Sequence, residues 1–213
     1  MTTEHTPVPN HHAHYPGFAG PIGFLAAASM ILGRQGDARL AERLSGLGPG
    51  DTVVDVGCGP GAAVRRAARL GASTVGVDPA SVMLRVARIL TRSSLPVRYL
   101  QGGAEALPLP DESASVVWSI ASVHHWADLD AGLRESRRVL RPAGRLVAIE
   151  RRTQPGARGL ASHGWTDSQA EELAQRCLDH GFVDARVDRH QYGRRRTLSV
   201  TAIAPTSAHR RTS

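Results

Sequence analysis

A chain of 213 residues fits one domain with a terminal extension and has length enough to bury a sizeable core, which its 41% hydrophobic content supports against a disordered tether. All 26 basic residues behind the net charge of +7 are arginine, on a background rich in Ala and Gly, which marks biased composition rather than a phosphate-binding surface. With only 4% aromatic residues there are few rings for base stacking, so nucleic acid is not the expected partner.

Residues 1–20 hold His5, His11, His12 and His14 among Pro, Gly and Asn with no periodicity, and are expected to form a flexible segment, with a mobile lid as one role. They lack the cationic start and apolar run of a signal peptide, so the cytoplasm is the expected compartment. No metal site is expected, because those histidines have no fixed scaffold or acidic partner. The apolar stretch Ile22 to Leu32 is too short to span a bilayer. From Ile22 to Leu44 the pattern is helical, with Gly33 and Gly36 as interruptions, and Gly46, Gly48, Pro49 and Gly50 make a turn.

Beyond that turn, apolar strands alternate with amphipathic helices. Strands are predicted over Thr52 to Val56, Thr74 to Val77, Val97 to Leu100, Ala114 to Ser119 and Arg145 to Ile149. Helices are predicted over Ala62 to Leu70, with Arg65, Arg66 and Arg69 outward, then over Ser81 to Leu90 and Leu129 to Leu140. Arg141, Pro142, Ala143 and Gly144 read as a break before the fifth strand. A last helix, Asp167 to His180, is capped by Thr166 or Asp167 and stopped by Gly181. Phe182 to Arg189 and Thr197 to Ala204 then form an antiparallel hairpin joined through Gly193 to Arg196, and 207–213 form a flexible tail. The expected fold is α/β: a Rossmann-like, seven-stranded, mostly parallel sheet with a C-terminal antiparallel hairpin and helices on both faces, in one domain over 21–206.

Crossover units place their loops at the carboxyl ends of the strands, where open sheets bind ligands. Gly57, Gly59 and Gly61 follow the first strand and allow close backbone approach. Asp55 ends that strand and Asp78 the second, so a carboxylate stands ready for ribose hydroxyls. Two carboxylates beside an uncharged Gly turn favour an ammonium or sulfonium ligand over a pyrophosphate. The third glycine also comes one residue too early for a dinucleotide fingerprint. A plain strand-to-helix turn is the alternative for the loop, a turn cap for Asp55 and a solvent-facing strand end for Asp78. Cys58 and Cys177 supply no disulfide framework, and Cys58 reads as packing.

The run Val53-Val54-Asp55-Val56-Gly57-Cys58-Gly59-Pro60-Gly61 resembles the cofactor loop of class I S-adenosylmethionine-dependent methyltransferases, in the small-molecule branch that includes the ubiquinone and menaquinone biosynthesis type. Gly76 to Pro79, Gln101 to Pro110 and Arg134 to Gly144 resemble three further motifs of that family in order, so the likeness covers Val53 to Ile149. It implies that Gly57 to Gly61 surround the amino-acid end of S-adenosylmethionine and that Asp78 takes the ribose, with Pro79 and Ser81 nearby. Gly103, Ala104 and Glu105 would border the adenine, and Ser119 to Ser122 would floor the sulfonium. At Gly103 the family usually carries an Asp that accepts from the adenine amino group, a loss of roughly 0.5–1.5 kcal/mol. Ala114-Ser115 replaces a common Phe-Asp pair, which bears on stability.

The implied activity is methyl transfer to a small-molecule acceptor, phenolic or quinol-like by resemblance, by a monomer or homodimer. Alignment supplies most of the rate for such a donor, and a hydroxyl acceptor needs a proton removed. His124 and His125 are the candidate bases, with a pocket-wall or structural role as the alternative. Trp126 stacks on a planar acceptor or closes the core. His163 and Trp165, ahead of the last helix, stand where related enzymes bring residues toward the acceptor. A non-catalytic cofactor-binding or nucleic-acid-associated protein on the same fold is the rival function.

Overall fold

The computed structural model describes residues 35–157, 159, 163–193 and 195–206. The expected flexible ends at 1–20 and 207–213, and the start of the helix expected from Ile22, lie outside the described residues. In chain order the elements are α1 (Gln35–Ser45), β1 (Thr52–Val56), α2 (Ala62–Arg69), β2 (Ser73–Asp78), α3 (Ser81–Leu90), β3 (Val97–Gln101) and β4 (Ala114–Ile120). A 3-10 turn, Val123–His125, leads to α4 (Leu129–Val139), β5 (Leu140–Arg151), α5 (Asp167–Asp179), β6 (Val183–Tyr192) and β7 (Arg195–Ile203).

The seven strands form one sheet in the order β3-β2-β1-β4-β5-β7-β6. The first five run parallel and β7 runs antiparallel to both neighbours, as the crossover pattern and terminal hairpin predict. Strand alternation divides the core. On one face Val53, Val116, Trp118, Val147 and Ile149 pack with Ala38, Leu40 and Ala41 of α1 and Ala63 and Ala67 of α2. On the other, Val54, Val117, Leu146 and Ala148 pack with Leu133 of α4 and Ala170, Leu173 and Cys177 of α5. The strand order reverses between β1 and β4, which opens a crevice at their carboxyl ends.

Three local expectations are corrected, and a fourth is reached only in part. Gly36 is the second residue of α1, so the helix expected from Ile22 is described only from Gln35 onward. Arg65 does not face outward: it is 7% exposed, and its Nη1 donates to Pro60 O at 2.6 Å. Its long stem covers apolar surface while its head ties α2 to the loop before it. β5 begins at Leu140 rather than Arg145, because Leu140 pairs with Ala114 and the chain absorbs Arg141 to Gly144 as an irregularity with Ala143 at φ 60°. The hairpin is also tighter than expected, since Tyr192 pairs with Arg195 and leaves two residues between the strands. Gly193 there has φ 58°, the left-handed value that short hairpin turns need.

Candidate functional site

The Gly loop sits at the strand reversal and is built by close approach. Gly57 N and Cys58 N both donate to Val77 O, at 2.8 and 3.0 Å, which folds the loop back over β2. At Gly57, φ is 74° and a Cβ would stand 1.8 Å from Ser122 Oγ, so only glycine lets the loop meet the end of β4. At Gly61 a Cβ would stand 2.3 Å from the Tyr99 hydroxyl. Asp55, Gly57, Cys58, Pro60, Ala62, Ala63 and Ile120 line a cleft of about 370 Å³, counting the space that opens to solvent.

Two carboxylates frame this loop, as expected. Asp55 is 2% exposed and lines the cleft from β1. Asp78, at the tip of β2, accepts from Gly59 N on Oδ2 at 2.8 Å and from Ala80 N on Oδ1 at 2.9 Å, so it clamps the loop to the start of α3. Pro79 and Ser81 flank that clamp, and Pro79 O accepts from Gln101 Nε2. Burial, reinforced by the charges of Asp55 and Asp78, pushes the Cys58 thiol well above its ordinary value. It stays protonated and packs beneath Gly76, whose missing Cβ would lie 2.8 Å from its sulfur.

The third loop carries the departure at Gly103. A Cβ there would lie 2.7 Å from Glu105 Oε2, so the Glu105 carboxylate occupies the room that a side chain at 103 would take. Its Oε1 accepts from Ala127 N at 2.6 Å and Asp128 N at 3.3 Å, tying this loop to the start of α4. Ala104 is buried in the core beneath it. Ser119 is fully buried in β4 and alternates with Ile120, whose side chain lines the cleft, whereas Ser122 meets Gly57 directly.

Immediately after Ser122 the 3-10 turn presents His124 and His125, with ring centroids 3.9 Å apart. His124 Nδ1 lies 2.8 Å from Oε1 of Glu150, a carboxylate only 1% exposed near the end of β5. His163 completes the group, 5.5 Å from the His124 ring and 5.7 Å from the His125 ring. It is held there because Arg151 Nε donates to His163 O at 3.1 Å and Trp165 N donates to Arg151 O at 2.9 Å. Gly164 makes this approach possible, since a Cβ would fall 2.1 Å from Arg151 O.

Trp126 and Trp165 both belong to the core, Trp126 against Gly132 of α4. Of the two roles open for Trp126, the structure places it in core closure. Glu150 was missed from sequence, although a single acid ending the apolar run Leu146 to Ile149 is the signal that marks it. His163 was singled out, but its meeting with His124 and His125 required the fold.

A sheet with this order, a glycine loop at its reversal and acids ending β1 and β2 define a Rossmann-like methyltransferase fold. Residues 54–148 match the family model described as "Methyltransferase domain". A demethylmenaquinone methyltransferase of Tropheryma whipplei is 33% identical over 112 residues, covering 53% of this chain and 46% of that protein. A ubiquinone biosynthesis O-methyltransferase of Chelativorans sp. is 34% identical over 160 residues, covering 74% and 56%. Among solved structures, a putative methyltransferase of Haloferax volcanii in complex with the Trm112 activator superposes with TM-score 0.75 at 23% identity, covering 86% of this chain and 95% of that one. These likenesses support a class I S-adenosylmethionine-dependent methyltransferase domain over this part of the chain, with S-adenosylmethionine as its cofactor. It spans about half the length of the curated relatives it matches.

Proposed function

We propose that this chain methylates an oxygen of a small, flat acceptor of phenolic or quinol type, working as a monomer or homodimer. The observation that carries the proposal is the His124–Glu150 pair, set one turn beyond the residue that packs against Gly57.

The glycine cradle fits the cofactor, because Gly57, Gly59 and Gly61, all with positive φ, curl the backbone tightly beside the cleft. In this reading Asp55, Gly57, Cys58, Gly59 and Gly61 surround its amino-acid end, with the Asp55 carboxylate facing the ammonium. Asp78, with Pro79 and Ser81 beside it, takes the ribose hydroxyls, since a carboxylate oxygen accepts more than one hydrogen bond. Gly103 and Ala104 border the adenine by their backbone, and Glu105 offers the carboxylate that Gly103 lacks. Ser119 supports the floor from within β4. Bound S-adenosylmethionine supplies a methyl group already activated by its sulfonium.

The protein's remaining task is the acceptor proton. With Nδ1 turned to Glu150, His124 works through Nε2, its ring orientation set by that contact. His125 lies against the His124 ring and is the second candidate for the proton. The two relatives named for quinone-type substrates support a flat acceptor.

Calorimetric titration with S-adenosylhomocysteine followed by turnover on an acceptor panel tests this. Wild type takes up the ligand, and Asp78→Ala weakens uptake roughly ten- to a hundredfold, the loss of one or two charge-assisted hydrogen bonds. His124→Gln keeps uptake and lowers turnover on phenols roughly a hundredfold or more. Folded protein that ignores the ligand at millimolar concentration overturns the proposal, as does full turnover by His124→Gln.

A further inference from the structure

We infer that His124, His125 and His163 form a binding site for a divalent transition-metal ion of the zinc class, with Glu150 as the outer partner of His124. The three side chains each bring one ring nitrogen within 4.8 Å of the others. They come from two separated segments, the 3-10 turn after β4 and the approach to α5, so the juxtaposition belongs to the tertiary fold. His125 and His163 are intermediate in exposure, while the His124 side chain is 10% exposed, so an ion reaches the group from the side of the other two rings.

The donor set is the argument for the metal class. Imidazole nitrogen suits zinc, copper, nickel and iron and is a poor ligand for magnesium or calcium, which take oxygen. Metal-binding histidines characteristically donate their second ring N–H to a carboxylate, which fixes the tautomer and makes the other nitrogen a better donor. His124 Nδ1 stands 2.8 Å from the buried Glu150 carboxylate, so this outer partner is in place. Three protein ligands leave the fourth tetrahedral position open for water or an oxygen ligand.

An ion about 2.1 Å from each nitrogen sets the nitrogens about 3.4 Å apart. Closing from the present separation asks for small rotations of the half-buried His125 and His163 rings, while Glu150 holds His124. Gly164 and the Arg151 contacts keep the His163 backbone within reach.

The site and the proposed base share His124. A bound ion takes the same Nε2 that accepts the acceptor's proton, so the filled site is the inactive one. The metal site itself stands on the three rings and survives a failure of the acceptor chemistry.

Cobalt(II) titration of the full chain, read by the visible absorption of tetrahedral Co2+, tests the site directly. One equivalent is expected, displaced by Zn2+. His163→Ala should abolish the band, and Glu150→Gln should weaken affinity roughly ten- to a hundredfold, both with S-adenosylhomocysteine uptake unchanged. The His163 variant also separates this site from His5, His11, His12 and His14 near the chain start. Absence of the band in protein that still takes up S-adenosylhomocysteine, or a band indifferent to His163→Ala, overturns the inference.

Discussion

Gly57 combines two demands, a left-handed φ of 74° and contact with Ser122, whereas Gly50 has φ 90° with nothing within 4 Å of a built Cβ. An Ala at either position pays the left-handed penalty of about 1–2 kcal/mol, but only Gly57→Ala must also displace Ser122. Urea denaturation should therefore show Gly50→Ala losing about 1–2 kcal/mol and Gly57→Ala about 3 kcal/mol or more, with cofactor uptake impaired only in the latter. Equal losses would show that crowding carries no weight at Gly57. This glycine was legible in sequence because strand, loop and helix follow one another within one short segment. Glu150 was not, because its partner His124 lies 26 residues earlier and only the pairing of β4 with β5 brings them together. The room that Gly103 leaves for Glu105 was hidden for a related reason, since it depends on how the Glu105 carboxylate is anchored by Ala127 and Asp128.

At the scale of elements, local chemistry made α5 readable. Thr166 and Gln169 form a reciprocal capping box, and Gly181 leaves the helix with φ 78°. β5 was read five residues short at its start, because Arg141-Pro142-Ala143-Gly144 has turn composition and its strand pairing comes from the distant Ala114 and Ala204. The buried stripe of α5 includes Cys177, fully buried, whose thiol is pushed up from 9.0 to about 12 by burial. An unfolded chain ionises this thiol near its ordinary value, while the folded chain keeps it neutral. The associated stability is thus complete below about pH 9 and lost as pH rises toward 12, by up to about 1.4 kcal/mol per unit. Cys177→Ala, costing about 1 kcal/mol at pH 7 for the lost packing, should close that gap above pH 9 and match or exceed wild type near pH 10.5. Parallel stability curves from pH 7 to 10.5 would show that the buried thiol does not control this slope.

Across the whole molecule the two edges of the parallel sheet are put to different uses. The carboxyl edge keeps the Gly loop and Asp55 around an open cleft, while the amino edge is stapled. There Asp51 Oδ1 accepts from Ser115 Oγ of β4 and Arg145 Nη2 of β5, both at 2.6 Å, and Oδ2 accepts from Gly48 N at 3.0 Å. Ser115, a departure from the family's usual residue, also accepts from Thr52 N at 2.9 Å, so it remains an anchor in shorter form. Burial alone would raise the Asp51 carboxyl, but the hydrogen bonds from Ser115 and Gly48 and the Arg145 charge outweigh it and hold the group below 3.8. A carboxyl depressed in the folded state stabilises above its unfolded value, and that contribution disappears as pH falls through the lower folded value. Asp51→Asn should therefore be about 1–2 kcal/mol less stable than wild type at pH 7, a difference that narrows progressively below about pH 4. S-adenosylhomocysteine uptake at pH 7 should stay within about twofold of wild type, because the staple lies at the edge opposite the cleft and additivity holds for distant sites. A stability difference that stays constant down to pH 3 would show that the charged form of Asp51 does not hold this edge, and a large loss of uptake would show that the two edges are coupled through the strands.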